Sequence, residues 1–159
     1  MSPEDRKEAR QYAWQYFSLH ADQRMRLFNF FLLLSGLLTG ALSAVKQITP
    51  ETKLAVLLPL IQSFSAFIFW RLDERSRMLI KNAETAIKYL DALWGLEPSE
   101  SGEPHVLNLF ARDDFRTEQL KNKWWMRYFV PVSYSRSFRL TYLVVGGLGL
   151  VLASWELAR

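Results

Sequence analysis

Three uninterrupted apolar runs, separated by charged stretches of helical spacing, organise these 159 residues. The first, Leu27 to Val45, reads LFNFFLLLSGLLTGALSAV, nineteen residues without a charge. A helix crossing the hydrocarbon core of a bilayer needs roughly 20. The run continues a helix that begins at the N-terminus, where Ser2 suits the cap, Pro3 the first helical position, and Glu4 and Asp5 the positive end of the dipole. Neither glycine nor proline interrupts it before Gly36, so one helix is predicted from Pro3 to Val45. A polar turn, Lys46 to Lys53, follows, with Thr49-Pro50 starting the next helix. Leu54 to Trp70 is the second run, seventeen residues with Pro59 in its first half.

Beyond that run, Leu72, Leu79, Ile80, Ala83, Ile87, Leu90 and Trp94 recur at three- and four-residue steps. This spacing predicts an amphipathic extension of the same helix, ended by Gly95 and Pro98. The stretch Gly95 to Pro104 (GLEPSESGEP) reads as a breaker-rich, acidic loop. Val106 to Lys123 reads as a shorter amphipathic helix, and Trp124 to Tyr134 as an aromatic, basic segment suited to a membrane interface. Leu140 to Trp155 is the third run, sixteen residues that Phe138 and a snorkelling Arg139 extend. The predicted fold is therefore an all-α integral membrane protein, a long helical hairpin extending into the cytoplasm plus a third membrane helix at the C-terminus, for which a re-entrant or interfacial segment is the alternative reading. Its parts are a cytoplasmic helix over 1–26, spans over 27–45, 54–70 and 140–155, and a cytoplasmic region over 71–139, all in one unit. The N-terminal helix also carries Tyr12, Trp14, Tyr16, Phe17 and Leu19, apolar surface expected to pack on the other cytoplasmic helix or to lie at the interface.

Charge adds orientation. Lys and Arg number five before the first span, two in the 46–53 turn, twelve between the second and third spans, and one after the last. The positive-inside rule puts the N-terminus and the 71–139 region in the cytoplasm. The net charge of +4 is small, and the flanks of the spans account for it. The chain has no cysteine, which excludes disulfides, thiolate catalysis and cysteine metal sites.

Within the first span, Gly36, Gly40 and Ala44 form a small-xxx-small ladder of the kind that lets helix backbones approach. Gly146 and Gly147 offer the same in the third span, and these five are the candidate helix-packing and oligomerisation residues. Ser35, Thr39 and Ser43 form a second ladder. With Gln62 they are the candidate lining of a polar path between associated copies, although their hydroxyls can also bond their own backbone. Arg24 just before the first span and Asp73 just after the second reach similar depth in an antiparallel pair, and form the candidate boundary clamp. Catalytic signals are missing: two histidines without metal-ligand spacing, no GxSxG elbow, no phosphate loop and no dinucleotide fingerprint. Asp113-Asp114 reads as solvated helix surface and His20 as a packing residue. No enzyme activity, metal or cofactor is expected.

Three blocks together resemble a known family. Trp14, Tyr16-Phe17, HADQR at 20–24 and FNFFLLLSG at 28–36 form the first, FWRLDERSRMLIKNAE at 69–84 the second, and SYSRSFRL at 133–140 the third. They are similar to small bacterial membrane proteins encoded with anti-phage defence genes, especially the transmembrane effectors of retron systems. That resemblance implies an inner-membrane toxin, silent until infection, which then permeabilises or depolarises the bilayer in abortive infection. It also implies a retron reverse transcriptase and its RNA-linked DNA as partners. Lys121 to Arg127 (KNKWWMR) is the best candidate for direct nucleic-acid contact, though interfacial anchoring explains it better. The competing reading is a non-toxic scaffold or small subunit of a larger membrane complex.

Overall fold

A computed structural model describes residues 2–49, 52–94, 104–105, 107–122 and 134–158, with side chains of 120–122 and 134 left out. It contains four helices: α1 (Pro3–Ile48), α2 (Leu54–Leu93), α3 (Leu109–Asn122) and α4 (Tyr134–Leu157). The start of α1 is fixed by a reciprocal cap. Asp5 N donates to Ser2 Oγ at 3.1 Å, and Ser2 N donates to Asp5 Oδ2 at 2.8 Å. The Ser2 backbone N–H first, and the Ser2 hydroxyl after it, hold the Asp5 carboxyl below its ordinary value by hydrogen bonding to it. At the other end α1 runs three residues past Val45. In the turn, Thr52 Oγ1 accepts from Leu54 N, and α2 begins at Leu54 rather than at Pro50, which lies outside the described residues. The loop over 95–103, the interfacial segment over 124–133 and most of the KNKWWMR run likewise lie outside them.

The chain divides into two compact units. One comprises Met1–Ala21 with Met78–Val132, the other Asp22–Arg77 with Ser133–Arg159, so α1 and α2 contribute to both. In the first, Ala13, Ile87 and Leu90 are buried, with Ala9, Phe17 and Phe110 packed around them. Phe17 meets Phe110 edge-on at 5.1 Å, which seats α3 on the pair. Arg10 Nε bonds Asp91 Oδ1 at 2.8 Å, and Arg6 donates to the Leu93 carbonyl at 2.9 Å, satisfying an orphan acceptor at the end of α2. Asn108 Oδ1 accepts from Ala111 N and caps α3. Of the aromatic residues expected to pack here, Phe17 does so and Tyr16 stands edge-on to His20, while Tyr12 and Trp14 stay more than half exposed.

In the second unit α1 and α4 run parallel to each other and antiparallel to α2. Arg24 meets Asp73 and Ser35 meets Gln62, so eleven residues along α1 match eleven along α2, about three helical turns. The buried cluster is Phe31, Ala66, Phe138 and Tyr142, one helix facing two. Phe28 stacks on Phe138 with ring centroids 3.8 Å apart and planes 7° from parallel. These contacts explain why α4 begins six residues before Leu140. Phe138 and Arg139 find partners on α1 and α2 and so continue the helix outward.

Candidate functional site

The second unit gathers most of the residues singled out above. At one end of its apolar segments Arg24 and Asp73 form a two-pronged ion pair, Nε to Oδ1 at 2.6 Å and Nη2 to Oδ2 at 3.0 Å. The side chains are 10% and 2% exposed, and the guanidinium lies 5.1 Å from the Phe138 ring centroid. Such forked geometry is what a buried arginine needs to offset its lost hydration. Beside it Glu74 accepts from Arg77 on its own helix and from Arg139 of α4, the latter at 2.6 Å. Both hydrogen bonds, Arg77's first, hold the Glu74 carboxyl below its ordinary 4.5. At the opposite end of the segments Lys46 of α1 pairs with the buried carboxylate of Glu156 on α4. Neither the Glu74–Arg139 nor the Lys46–Glu156 contact was identified from the sequence, because each joins groups 65 or 110 residues apart. A terminal acid after an apolar run was the available signal.

The small residues divide into two groups. A Cβ at Gly36, Gly40 or Gly147 would meet nothing within 4 Å, so none is required by packing within this chain. Ala44 is exposed on the same stretch. At Gly146 a Cβ would stand 3.1 Å from Ala66 Cβ, and at Gly149 it would stand 2.4 Å from Ser63 Oγ and 2.7 Å from the Pro59 carbonyl. Gly149 is thus the position where α4 crosses α2 too closely for any side chain. Ser63 stitches this crossing, its hydroxyl lying 3.0 Å from the Pro59 carbonyl and 2.9 Å from the Gly146 carbonyl.

The hydroxyl ladder is spent mostly on its own helix, with Thr39 and Ser43 exposed and only Ser35 buried. Thr39 donates to the Ser35 carbonyl at 2.8 Å and Ser43 to the Thr39 carbonyl at 3.0 Å. Ser35 Oγ accepts from Gln62 Nε2 at 2.9 Å, and both of these residues are buried. Ser35, Thr39 and Gln62 line a groove of about 410 Å³ between α1, α2 and α4, whose other walls are apolar. Ser43 lies outside it. Asp113 and Asp114 are exposed, Asp114 in an ion pair with Lys88. No group of three or more His, Asp or Glu side chains among the described residues is placed to hold a metal ion.

The described residues are all-helical in their regular structure, and three of their helices are long and apolar enough to cross a membrane. The chain is 32% identical over 150 residues to CD-NTase-associated protein 19 of Escherichia coli, covering 91% of this chain and 88% of that protein. It belongs to that protein's family. No protein-family model matches the chain, and no solved structure does. The relative's name ties it to a CD-NTase and makes no mention of a retron, so the comparison does not support the specifically retron type of the resemblance.

Proposed function

We propose that the protein is a multi-pass membrane effector of an anti-phage defence system that acts with a CD-NTase and, when released from inhibition, depolarises the bacterial inner membrane. α1, α2 and α4 span the bilayer in this reading, with the N-terminus and the 71–139 region in the cytoplasm. The observation that carries it is the family relation, which leaves fewer residues of the chain outside it than any one of the three apolar helices contains. The surface of the second unit supports it: Leu33, Leu37, Phe64, Leu143 and Val151 are each more than 60% exposed, apolar area that lipid solvates and water does not. In the active form copies associate through the open Gly36, Gly40 and Ala44 edge, with Gly147, also in open space, free to join the contact and Gly146 held against Ala66 of α2. Ser35, Thr39, Ser43 and Gln62 line the weakly selective path that results. The protein is not an enzyme in this reading and carries no cofactor.

Inducible expression with its CD-NTase, followed with a potential-sensitive dye, tests the proposal. Depolarisation on activation is expected, and Gly40→Leu or Thr39→Val should suppress it at equal membrane abundance. A full potential with the activated, membrane-integrated protein would refute it and favour a scaffold. The neighbouring genes test the partner separately. A CD-NTase gene is expected, whereas a reverse transcriptase gene would return the reading to the retron type.

A further inference from the structure

Charge is shared unevenly around the boundary where the apolar segments of the second unit end. On α1 both boundary cations are closed off, Arg24 by Asp73 and Arg26 by Asp22. On α2 and α4 they are not. Arg71 and Arg136 are exposed and have no ion-pair or hydrogen-bond partner among the described residues; Arg75, likewise exposed, lies further round α2. Glu74 accepts from both Arg77 and Arg139, whose side chains stay 33% and 39% exposed. Arg71, Arg77, Arg136 and Arg139 against the one Glu74 carboxylate leave a surplus of three positive charges. The sequence offers α4 nothing to offset it, since no acid stands between Glu118 and Glu156. The positive-inside rule accounts for cations at this boundary, but not for their surplus falling on one side.

That side carries a groove of about 260 Å³ between α2 and α4, walled by Ala66, Phe67, Trp70, Leu143, Gly147 and Leu150. Phe67, Leu143 and Leu150 are each more than half exposed, so the groove opens outward, to lipid in the spanning reading. Its Ser63 hydroxyl is committed to the Pro59 and Gly146 carbonyls, which leaves an apolar lining. Helical spacing carries both walls into the charged cluster. Phe67 shares a face with Arg71, Trp70 with Glu74 and Arg77, and Leu143 with Arg139 and Arg136. Trp70 stands where slot and cluster meet, and an indole favours the headgroup region. The joined feature is an apolar slot, about 12 Å long from Tyr142 to Leu150, beneath a cationic mouth. A soluble anion has no use for the slot, and a zwitterionic lipid brings no net charge to the mouth. A second copy presenting the same face is repelled by it. We infer that this face is a binding site for an anionic phospholipid, with one acyl chain in the α2–α4 groove and the phosphate held by Arg71, Arg136 and Arg139. The inference rests on the reading that α2 and α4 span a bilayer.

The test uses the full chain in phosphatidylcholine vesicles and begins with extraction in alkaline carbonate. Release of the protein would overturn the spanning reading and the site with it, whereas retention leaves the site to be judged alone. Phosphatidylglycerol bearing a diazirine on one acyl chain is then added at trace level, photolysed and mapped by peptide mass spectrometry. Phosphatidylcholine bearing the same chain is run beside it. Saturable labelling of 63–70 and 142–150 is expected from the first probe alone, displaced by unlabelled phosphatidylglycerol and not by glycerol phosphate. Arg71→Gln and Arg136→Gln should each weaken binding about fivefold, the worth of one cation at an anionic headgroup. Arg26→Gln, at the same boundary on α1, removes an equal charge and should change nothing. Gly147→Leu, whose side chain enters open space in the groove, should block labelling with the charge surplus intact. Equal labelling by both probes, an equal loss in Arg26→Gln, or undiminished labelling in Gly147→Leu would overturn the inference. So would displacement by glycerol phosphate, or cross-links from the groove to a second copy that phosphatidylglycerol leaves unchanged.

Discussion

Removing one partner of the Arg24–Asp73 pair is expected to cost far more than removing both. Asp73→Ala leaves a guanidinium that is 10% exposed, lying 5.1 Å from the Phe138 ring centroid and stripped of its two hydrogen bonds. Arg24→Ala leaves a carboxylate only 2% exposed. Breaking a buried pair in this way costs about 3–5 kcal/mol, or about two to three and a half powers of ten in the folded population. Replacing both together, Arg24→Met with Asp73→Leu, removes the charges along with their desolvation and should come within about 1 kcal/mol of the native chain. The exchange Arg24→Asp with Asp73→Arg should likewise recover much of what either single change loses. The pair Arg26–Asp22, with side chains 79% and 57% exposed, is the internal control, and its loss should matter by less than about 1 kcal/mol. The assay is unfolding of the detergent-solubilised protein by rising SDS fraction, followed by near-ultraviolet circular dichroism. Single changes that add without coupling, or an exchange that rescues neither, would refute the direct-pair argument.

Two further outcomes follow from the same unit. Gly149→Ala places a methyl group 2.7 Å from the Pro59 carbonyl and on top of the Ser63 hydroxyl, and should destabilise by about 1–3 kcal/mol; Gly147→Ala, with open space around it, should not destabilise, and equal effects in the same unfolding assay would contradict the crossing geometry. Because Glu74 has its carboxyl held below 4.5 in the folded chain, its contribution is present above that value and is lost as pH falls through the lowered one. Thermal unfolding between about pH 6 and pH 3 should therefore show a shallower acid decline in Glu74→Gln than in the native chain; identical slopes would remove Glu74 from the acid response.

Much of the helix pattern was legible in the chain because apolar runs and three-to-four spacing are local signals. Leu27 to Val45 and Leu54 to Trp70 each lie inside a helix, and Ile80, Ala83, Ile87 and Leu90 are buried on the face their spacing implied. The capping residues at Ser2 were readable for the same reason. Opposite charges flanking two antiparallel runs brought Arg24 and Asp73 to notice, and the structure joins them. Less legible was which glycine matters: Gly146, Gly147 and Gly149 look alike in sequence, yet only a crossing with Pro59 and Ser63 makes the last of them intolerant of a side chain.

Local order of apolar and charged residues thus determined the helices and their suitability for a bilayer. Tertiary structure alone decided where α4 begins, which hydroxyls are spent on backbone, that Glu156 meets Lys46, and that Gln62 bonds Ser35 across the helix pair. The reason is physical. A helix forms from interactions three and four residues apart, whereas a groove, a crossing or a buried charge pair exists only once segments distant in the chain have fixed their register against one another.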